Sequence, residues 1–214
     1  MLKFKDFEFK IPDGVKKPCV NVSGGVDSAL ALYLTVSALD KYNAEITVLT
    51  LCHPNKKHYN SVYATQVINK IIDLTNTKSI KNHLVFYKDV QKRSYLDNQE
   101  EKLYNKGFID FTIHGTTRNP DNIVDLQFGR HSSRDNTTFI SELGKHHLCN
   151  IERYMPFIKV DKKSIFEAYK KLELLDTLLP YTKSCESFNV DLNESCGECW
   201  WCKERNWGLN SIER

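Results

Sequence analysis

No stretch of this 214-residue chain is long and apolar enough to span a bilayer, and Met1–Lys10 alternates lysines, aromatics and acids without the apolar core of a secretory signal. The expectation is a cytoplasmic protein with no membrane partner. Strong charge of either sign is missing too: the formal net charge is +3, without the basic excess or stripe of a dedicated duplex binder. Nucleic acid is compatible with the chain but not implied by it. Internal repeats and low-complexity tracts are absent, and the scattered histidines form no Ser-His-Asp or Cys-His pattern that would mark a side-chain nucleophile. Seven cysteines, an odd number, do not suit a secreted disulfide framework, and a reducing compartment fits them better. What is present, 41% hydrophobic and 27% charged residues, is ordinary globular composition, so the class has to come from pattern. The length suits one domain with a small appendage.

The stretch that organises the chain is Val20–Leu30, Val-Asn-Val-Ser-Gly-Gly-Val-Asp-Ser-Ala-Leu. An apolar run fit for a buried strand meets Gly24 and Gly25, and Ala29, Leu30, Leu32, Tyr33, Leu34, Val36 and Leu39 then recur as on a helix packed against that strand. Strand, glycine turn and helix in this order make an anion nest. Without a Cβ the glycines let backbone N–H groups converge, and the helix N-terminus adds its partial positive charge. Ser23 and Ser28 supply hydroxyls, and Asp27 can cap the helix or orient a phosphate-bound Mg²⁺. The turn is neither a Walker A loop, since no Gly-Lys-Ser/Thr follows, nor a Gly-x-Gly-x-x-Gly. Ser23-Gly24-Gly25-Val26-Asp27-Ser28 is instead similar to Ser-Gly-Gly-x-Asp-Ser, the PP-loop of the ATP pyrophosphatases. That resemblance implies ATP cleaved between its α and β phosphates, with AMP passing to a substrate oxygen.

Around this turn, Phe4–Ile11 alternates like an edge strand and Pro12-Asp13-Gly14 reads as a turn. Five runs suit strands: Pro18–Val22, Glu45–Leu51, Lys81–Tyr87, Phe108–His114, and Arg153–Val160 with its interrupting Pro156. Helical patterns follow the glycine turn to Leu39, then occupy Ser61–Thr75, Leu96–Lys106, Thr137–Cys149 and Lys162–Leu172. Asp97-Asn98-Gln99-Glu100 reads as a cap of the third, Gly107 as its stop, and Asp161 as the cap of the last. The alternation predicts an α/β fold, a doubly wound and mainly parallel five-stranded sheet. Ligands in such sheets lie beyond the carboxyl ends of the strands, which puts Thr50, Leu51 and residues 52–58, and likewise Gly115, beside the nucleotide. Asp121–Asn136, with Arg118, Arg130, His131 and Arg134 in or near it, reads as a lid or specificity loop or as a plain surface insertion.

Cys185, Cys196, Cys199 and Cys202 stand at C-x₁₀-C-x₂-C-x₂-C spacing. Four thiolates suit a tetrahedral, structural Zn²⁺ with no open position; Gly197 can relax the turn, and Lys183, Lys203 and Arg205 can offset the charge. An iron–sulfur cluster competes, although Asn206 stands where the ferredoxin run needs its next cysteine, and cysteines without metal are the third reading. Cys19, Cys52 and Cys149 read as packing residues. Lys162 and Lys163 open a helix whose dipole they oppose, unless an anion such as phosphate sits nearby; two solvated surface lysines are the plain alternative. Trp200, Trp201 and Trp207 are expected to pack the cysteine segment against the main body or a partner chain, with base stacking a lesser use. The expected division is a nucleotide-binding domain over residues 1–180 and a Cys₄ zinc-binding segment over 181–214.

The PP-loop, Pro156-Phe157-Ile158-Lys159-Val160-Asp161-Lys162, and Ser184-Cys185 followed by Cys196-Gly197-x-Cys199-x-x-Cys202-x-x-Arg205 together resemble the QueC family of 7-cyano-7-deazaguanine synthases. The resemblance implies an adenine nucleotide alpha hydrolase-like (HUP) fold with a C-terminal zinc knuckle, a homodimer, and ATP, Mg²⁺ and Zn²⁺ as cofactors. It implies a ligase that adenylates the carboxylate of a 7-deazaguanine, aminates it with ammonia to an amide, and dehydrates the amide to a nitrile. On the matching positions, Asp27 and Lys162 are the expected catalytic residues. Ser23, Gly24, Gly25, Val26, Asp27, Ser28, Thr50, Leu51, Gly115 and Lys162 are expected at the nucleotide, and Cys185, Cys196, Cys199 and Cys202 at the metal. The middle departs from the pattern: Cys52–His58 replaces Tyr-Gly-Gln-Arg-His, and the region offers Gly115–Pro120 and Phe128-Gly129-Arg130 where the family has Pro-Gly-Arg-Asn and Tyr-Pro-Asp-Cys-Arg. A PP-loop tRNA thiolase and a non-catalytic zinc-containing ATP-binding module are the alternative readings.

Overall fold

The computed structural model describes residues 1–52, 59–87, 93–120, 129–134, 141–145, 150–187, 191–192 and 194–212. The first strands, β1 (Leu2–Lys3) and β2 (Glu8–Phe9), pair antiparallel as a separate hairpin rather than as an edge of the main sheet. Two-residue strands are too short to extend a sheet, and the hairpin instead caps the core with Phe9 and with Phe7, whose ring meets Phe157 edge-on at 5.1 Å.

The main sheet holds β3 (Pro18–Asn21), β4 (Ile46–Cys52), β5 (Ile80–Tyr87), β6 (Phe111–His114), β7 (Leu143–Lys145) and β8 (Glu152–Tyr154), in the order β5-β4-β3-β6-β8-β7. The five strands read from the sequence are all present and all parallel, and β7 adds an antiparallel edge along β8, with Leu143 opposite Tyr154. The sheet is therefore six-stranded rather than five-stranded among the described residues. This corrects the helix reading of Thr137–Cys149: its Leu143-Gly144-Lys145 pairs with the open edge of β8, and a tertiary partner overrides a weak local helical preference. The rest of that stretch, residues 135–140 and 146–149 with Cys149, lies outside the described residues.

Alternation along the strands sorts two faces. Val20, Val48 and Ile113 join the apolar cluster with α1 (Val26–Leu39), α2 (Asn60–Thr75) and α4 (Lys162–Lys171), whereas Cys19 and Leu49 meet Leu96, Leu103 and Tyr104 of α3 (Arg93–Asn105). Helix α1 lies between α2 and α4 over the sheet, which is why it is buried almost all round from Val26 to Leu39. Asp161 caps α4 as expected, accepting from the N–H groups of Lys163 and Ser164. Asp97 and Glu100 do not cap α3, which begins at Arg93. They are buried inside it, each carboxylate 2.6 Å from Nη2 of Arg153 on β8.

The last helix, α5 (Trp200–Asn210), packs on α4; no spacing in the sequence marked it. Gly208 permits the approach, since a Cβ there would lie 2.8 Å from Lys162 Cγ and 2.9 Å from Phe166 Cδ2. The chain builds outward from β3 through β4 to β5 and then returns to β6 on the other side of β3. The carboxyl ends of β3 and β6 thus flank the topological switch point, where open α/β sheets form their ligand crevice.

Candidate active site

At that switch point β3 passes into α1 through Val22–Gly25. Gly24 has φ +83°, and a Cβ on it would stand 2.3 Å from Tyr63 Cβ of α2, so conformation and space both require glycine. Ser28 closes the turn, its Oγ donating to the Gly25 carbonyl at 3.0 Å and accepting from Ser23 N–H at 3.2 Å. Gly25 is the N-cap of α1, and no side chain caps the helix; Asp27 stands in the first turn and leaves the helix N-terminus open to an anion. Gly115, directly after β6, lies against this turn, where a Cβ would be 2.8 Å from the Asp27 carbonyl oxygen. Tyr169 of α4 fixes it from below, its hydroxyl donating to the Val26 carbonyl at 2.9 Å.

Four charged side chains meet above the turn. Lys162, 2% exposed at the start of α4, donates to Asp27 Oδ2 and lies 3.4 Å from Glu204 Oε2. Arg134 donates through Nη1 to Glu204 Oε1 and places Nη2 3.9 Å from Asp27 Oδ2. Burial pushes the Glu204 carboxyl up from its ordinary value, opposed by the positive charges of Lys162 and Arg134. Lys162, expected to find a phosphate at its helix start, has two carboxylates there. The guanidinium of Arg134 is also held over the rings of Trp200 and Trp201, at 5.0 and 4.8 Å, while Trp200 Nε1 donates to the Gly129 carbonyl at 3.0 Å. Asp27 Oδ1 is buried without a hydrogen-bond partner among the described residues, as suits a carboxylate oxygen reserved for a hard cation.

Asp27, Lys162 and Arg134 line a cleft of about 340 Å³, within the usual range of small-molecule sites, and Glu204 is buried behind them. Of the residues expected at a nucleotide, Ser23, Gly25, Val26, Asp27, Ser28, Gly115 and Lys162 line it. Gly24 shapes the turn from behind. Thr50 and Leu51 are not among the lining residues: Thr50 is fully buried, its Oγ1 donating to the Val22 carbonyl at 2.7 Å and lying 2.9 Å from His83 Nε2, and the Leu51 carbonyl accepts from Asn60 Nδ2 at 3.0 Å. They brace the crevice wall. The lining also includes Asn60, Thr116, Arg134, Lys183, Glu186 and Trp201. Of these, Arg134 stood out in sequence within its cluster of basic residues, and Lys183 and Trp201 only as neighbours of the cysteines; Glu204, hidden among the cysteines, gave no signal. Residues 53–58 and 121–128, and 135–140 with Asn136, which hold most of the expected specificity loops, lie outside the described residues.

The cysteine cluster adjoins the cleft. Lys183 N–H donates to the Gly24 carbonyl at 2.8 Å, and Ser184 and Cys185 line the cleft itself. The four Sγ atoms lie within 4.8 Å of one another, Cys185 to Cys196 at 3.6 Å and Cys196 to Cys202 at 3.9 Å. Four sulfurs bound to one ion at about 2.3 Å would be about 3.8 Å apart, so the cluster could hold a single tetrahedral ion. Ligands of a multi-iron cage have to stand farther apart. Gly197 takes φ +71°, and Cys199 N–H points at Cys196 Sγ from 3.3 Å, the relaxed turn read from the sequence. Cys19 and Cys52 are fully buried packing residues.

A strand, glycine turn and helix at the switch point of a mainly parallel sheet mark the class: this is a PP-loop α/β protein. Residues 12–113 match the family model of NAD synthase, and residues 134–213 match that of "Queuosine biosynthesis protein QueC", so the chain is related to two families of PP-loop ATP-utilising enzymes. No curated protein matches it in sequence. Among solved structures it is similar to the U34-tRNA thiolase NcsA from Methanococcus maripaludis with its [4Fe-4S] cluster, at TM-score 0.51 and 12% identity over 95% of this chain and 67% of that one. It is also similar to NMN synthetase from Francisella tularensis, at TM-score 0.44 and 13% identity over 92% of this chain and 85% of that one. No helix among the described residues is long and apolar enough to cross a membrane.

Proposed function

We propose that this chain is a QueC-type ligase. It cleaves ATP to AMP and pyrophosphate, adenylates the carboxylate or amide of a 7-deazaguanine, and uses ammonia to form the amide or nitrile, most simply in 7-cyano-7-deazaguanine synthesis. The observation that carries this reading is the meeting of Asp27, from the NAD synthase-like part, with Lys162, from the QueC-like part, in one cleft.

In this mechanism the open N-terminus of α1 and the Ser23–Ser28 turn hold the departing pyrophosphate. Lys162 supports the charge that grows on the α-phosphate, and Asp27, through its unpartnered oxygen, would hold Mg²⁺. Mg²⁺, when bound, neutralises phosphate charge. The substrate oxygen attacks the α-phosphorus in line, and ammonia then displaces AMP from the acyl carbon. No side-chain nucleophile is required, because the catalysis is positioning and electrostatics. Cys185, Cys196, Cys199 and Cys202 would hold one structural Zn²⁺, as the sulfur spacing supports. On this reading residues 1–180 form the nucleotide domain and 181–214 the Cys₄ segment of a cytoplasmic homodimer.

The test is product analysis with ATP, Mg²⁺ and ammonium in the presence of 7-carboxy-7-deazaguanine, the corresponding amide, or tRNA. AMP released with either deazaguanine supports the proposal; ADP and phosphate as products would refute it. A second reading, a tRNA-modifying thiolase, draws on Cys185 at the cleft wall, and AMP released only with tRNA would select it. ATP binding without any AMP would leave a non-catalytic module.

A further inference from the structure

Glu204 is fully buried, yet neither the PP-loop chemistry nor the cysteine cluster has a use for it. It sits on α5 two positions after Cys202 and four before Gly208, so it shares the α4-facing side of the helix with Gly208. The missing Cβ of Gly208 lets α5 settle against Lys162 and Phe166, and that approach carries the carboxylate into the charge cluster. One oxygen accepts from Arg134 and the other lies 3.4 Å from the Lys162 ammonium. The side chains of Lys162 and Arg134 are 3% and 7% exposed. Water therefore does little to hold or screen them, and their positions depend on their carboxylate partners. Asp27 is one such partner, but Asp27 is also the residue aimed at a phosphate-bound cation. When it turns to that task, Glu204 still contacts both cations.

We propose that Glu204 is a positioning residue and counter-ion of the nucleotide cleft: it keeps Lys162 and Arg134 aimed at the phosphates while offsetting part of their charge, so that polyphosphate is held firmly but released after reaction. The proposal rests on the reading of the cleft as an ATP pyrophosphatase site. It assigns Glu204 an effect opposite to that of a structural residue. Deleting its charge leaves two buried cations less neutralised, so ground-state affinity for an anion rises, whereas misplacement of Lys162 slows the step at the α-phosphate.

The experiment compares wild type with Glu204→Gln, which retains shape and an acceptor for Arg134 but removes the charge. Calorimetry with inorganic pyrophosphate is expected to show binding about 3- to 10-fold tighter in the variant. AMP formation is expected to slow about 10-fold or more in kcat, with KM for ATP unchanged or lower and metal content as in wild type. Glu204→Asp, one methylene short of both cations, should also be slow. Weaker pyrophosphate binding, unchanged binding, or loss of metal from Glu204→Gln would overturn the proposal and leave Glu204 a packing residue. If wild type binds no pyrophosphate, the cleft reading fails first, and the role of Glu204 fails with it. If wild type binds pyrophosphate but makes no AMP, the two affinities alone decide.

Discussion

Asp27 and Lys162 are 135 positions apart in the chain, and each was legible for a local reason: the aspartate by its place after two glycines, the lysine by an awkward position at a helix start. Their pairing was not legible, nor was Glu204, whose partner Arg134 lies 70 positions away. Spacing reveals motifs, whereas a buried ion cluster is made by tertiary approach. Asp27→Ala is expected to cut AMP formation by about 10²- to 10³-fold while leaving metal content unchanged, measured by nucleotide chromatography and metal analysis. Retained activity would remove Asp27 from the site. A second residue gives a pH dependence. Burial lowers the pKa of His83 from its ordinary 6.5. The unfolded chain then takes up this proton more readily than the folded one, so the His83 contribution to stability is complete above pH 6.5 and declines as pH falls towards the lowered value. Thr50 Oγ1 donates to Val22 and so accepts from His83, a contact that His83→Gln can keep without titrating. Melting temperature between about pH 7 and about pH 5 should fall less steeply in His83→Gln than in wild type; parallel curves would contradict the assignment.

The parallel strands and the helices that cross them were readable at the scale of elements, because continuous β-branched runs and 3.6-residue stripes are local records of burial. The misreadings arose where a partner distant in sequence decided. Strand β7 exists because β8 has an edge to fill, and Asp97 and Glu100 lie inside α3 because Arg153 awaits them on β8. Their i, i+3 spacing shows that they share a helix face, but not that the face is turned to the sheet. There Glu100 also lies 2.8 Å from His114 Nε2 at the end of β6, beside the switch point. This polar contact ties α3 to the strand that ends in Gly115. Removing Arg153 takes their shared cation from two buried carboxylates, so Arg153→Ala should cost about 3–5 kcal/mol in urea unfolding. A loss below about 1 kcal/mol would mean that Leu96, Leu103 and Tyr104, with the Glu100–His114 contact, hold α3 without Arg153.

Across the whole molecule, the two family matches stop short of one another, at residues 113 and 134, and the cleft closes across that gap: the PP-loop comes from one side, and Lys162, Lys183 and Cys185 from the other. The two parts are coupled physically. Lys183 N–H is bonded to the Gly24 carbonyl, and the Tyr63 hydroxyl, on the helix that packs against Gly24, donates to the Leu192 carbonyl. Arg205 of α5 adds bonds to Thr182 Oγ1 at 2.8 Å and the Leu179 carbonyl at 3.2 Å, pinning the strap that leads into the cysteines. Without an ion at their centre the four sulfurs have nothing to tie them together, so stripping the metal should loosen this strap and with it the back of the glycine turn. Chelated protein is expected to become protease-sensitive near the cysteines and to bind ATP more than about 10-fold more weakly, while Asp27→Ala, with its metal in place, loses turnover but stays protease-resistant. The bound metal should be one colourless equivalent per chain; a visible charge-transfer band would point to iron and sulfur instead. Unchanged ATP affinity after chelation would show that the cysteine segment is an appendage rather than a wall of the site.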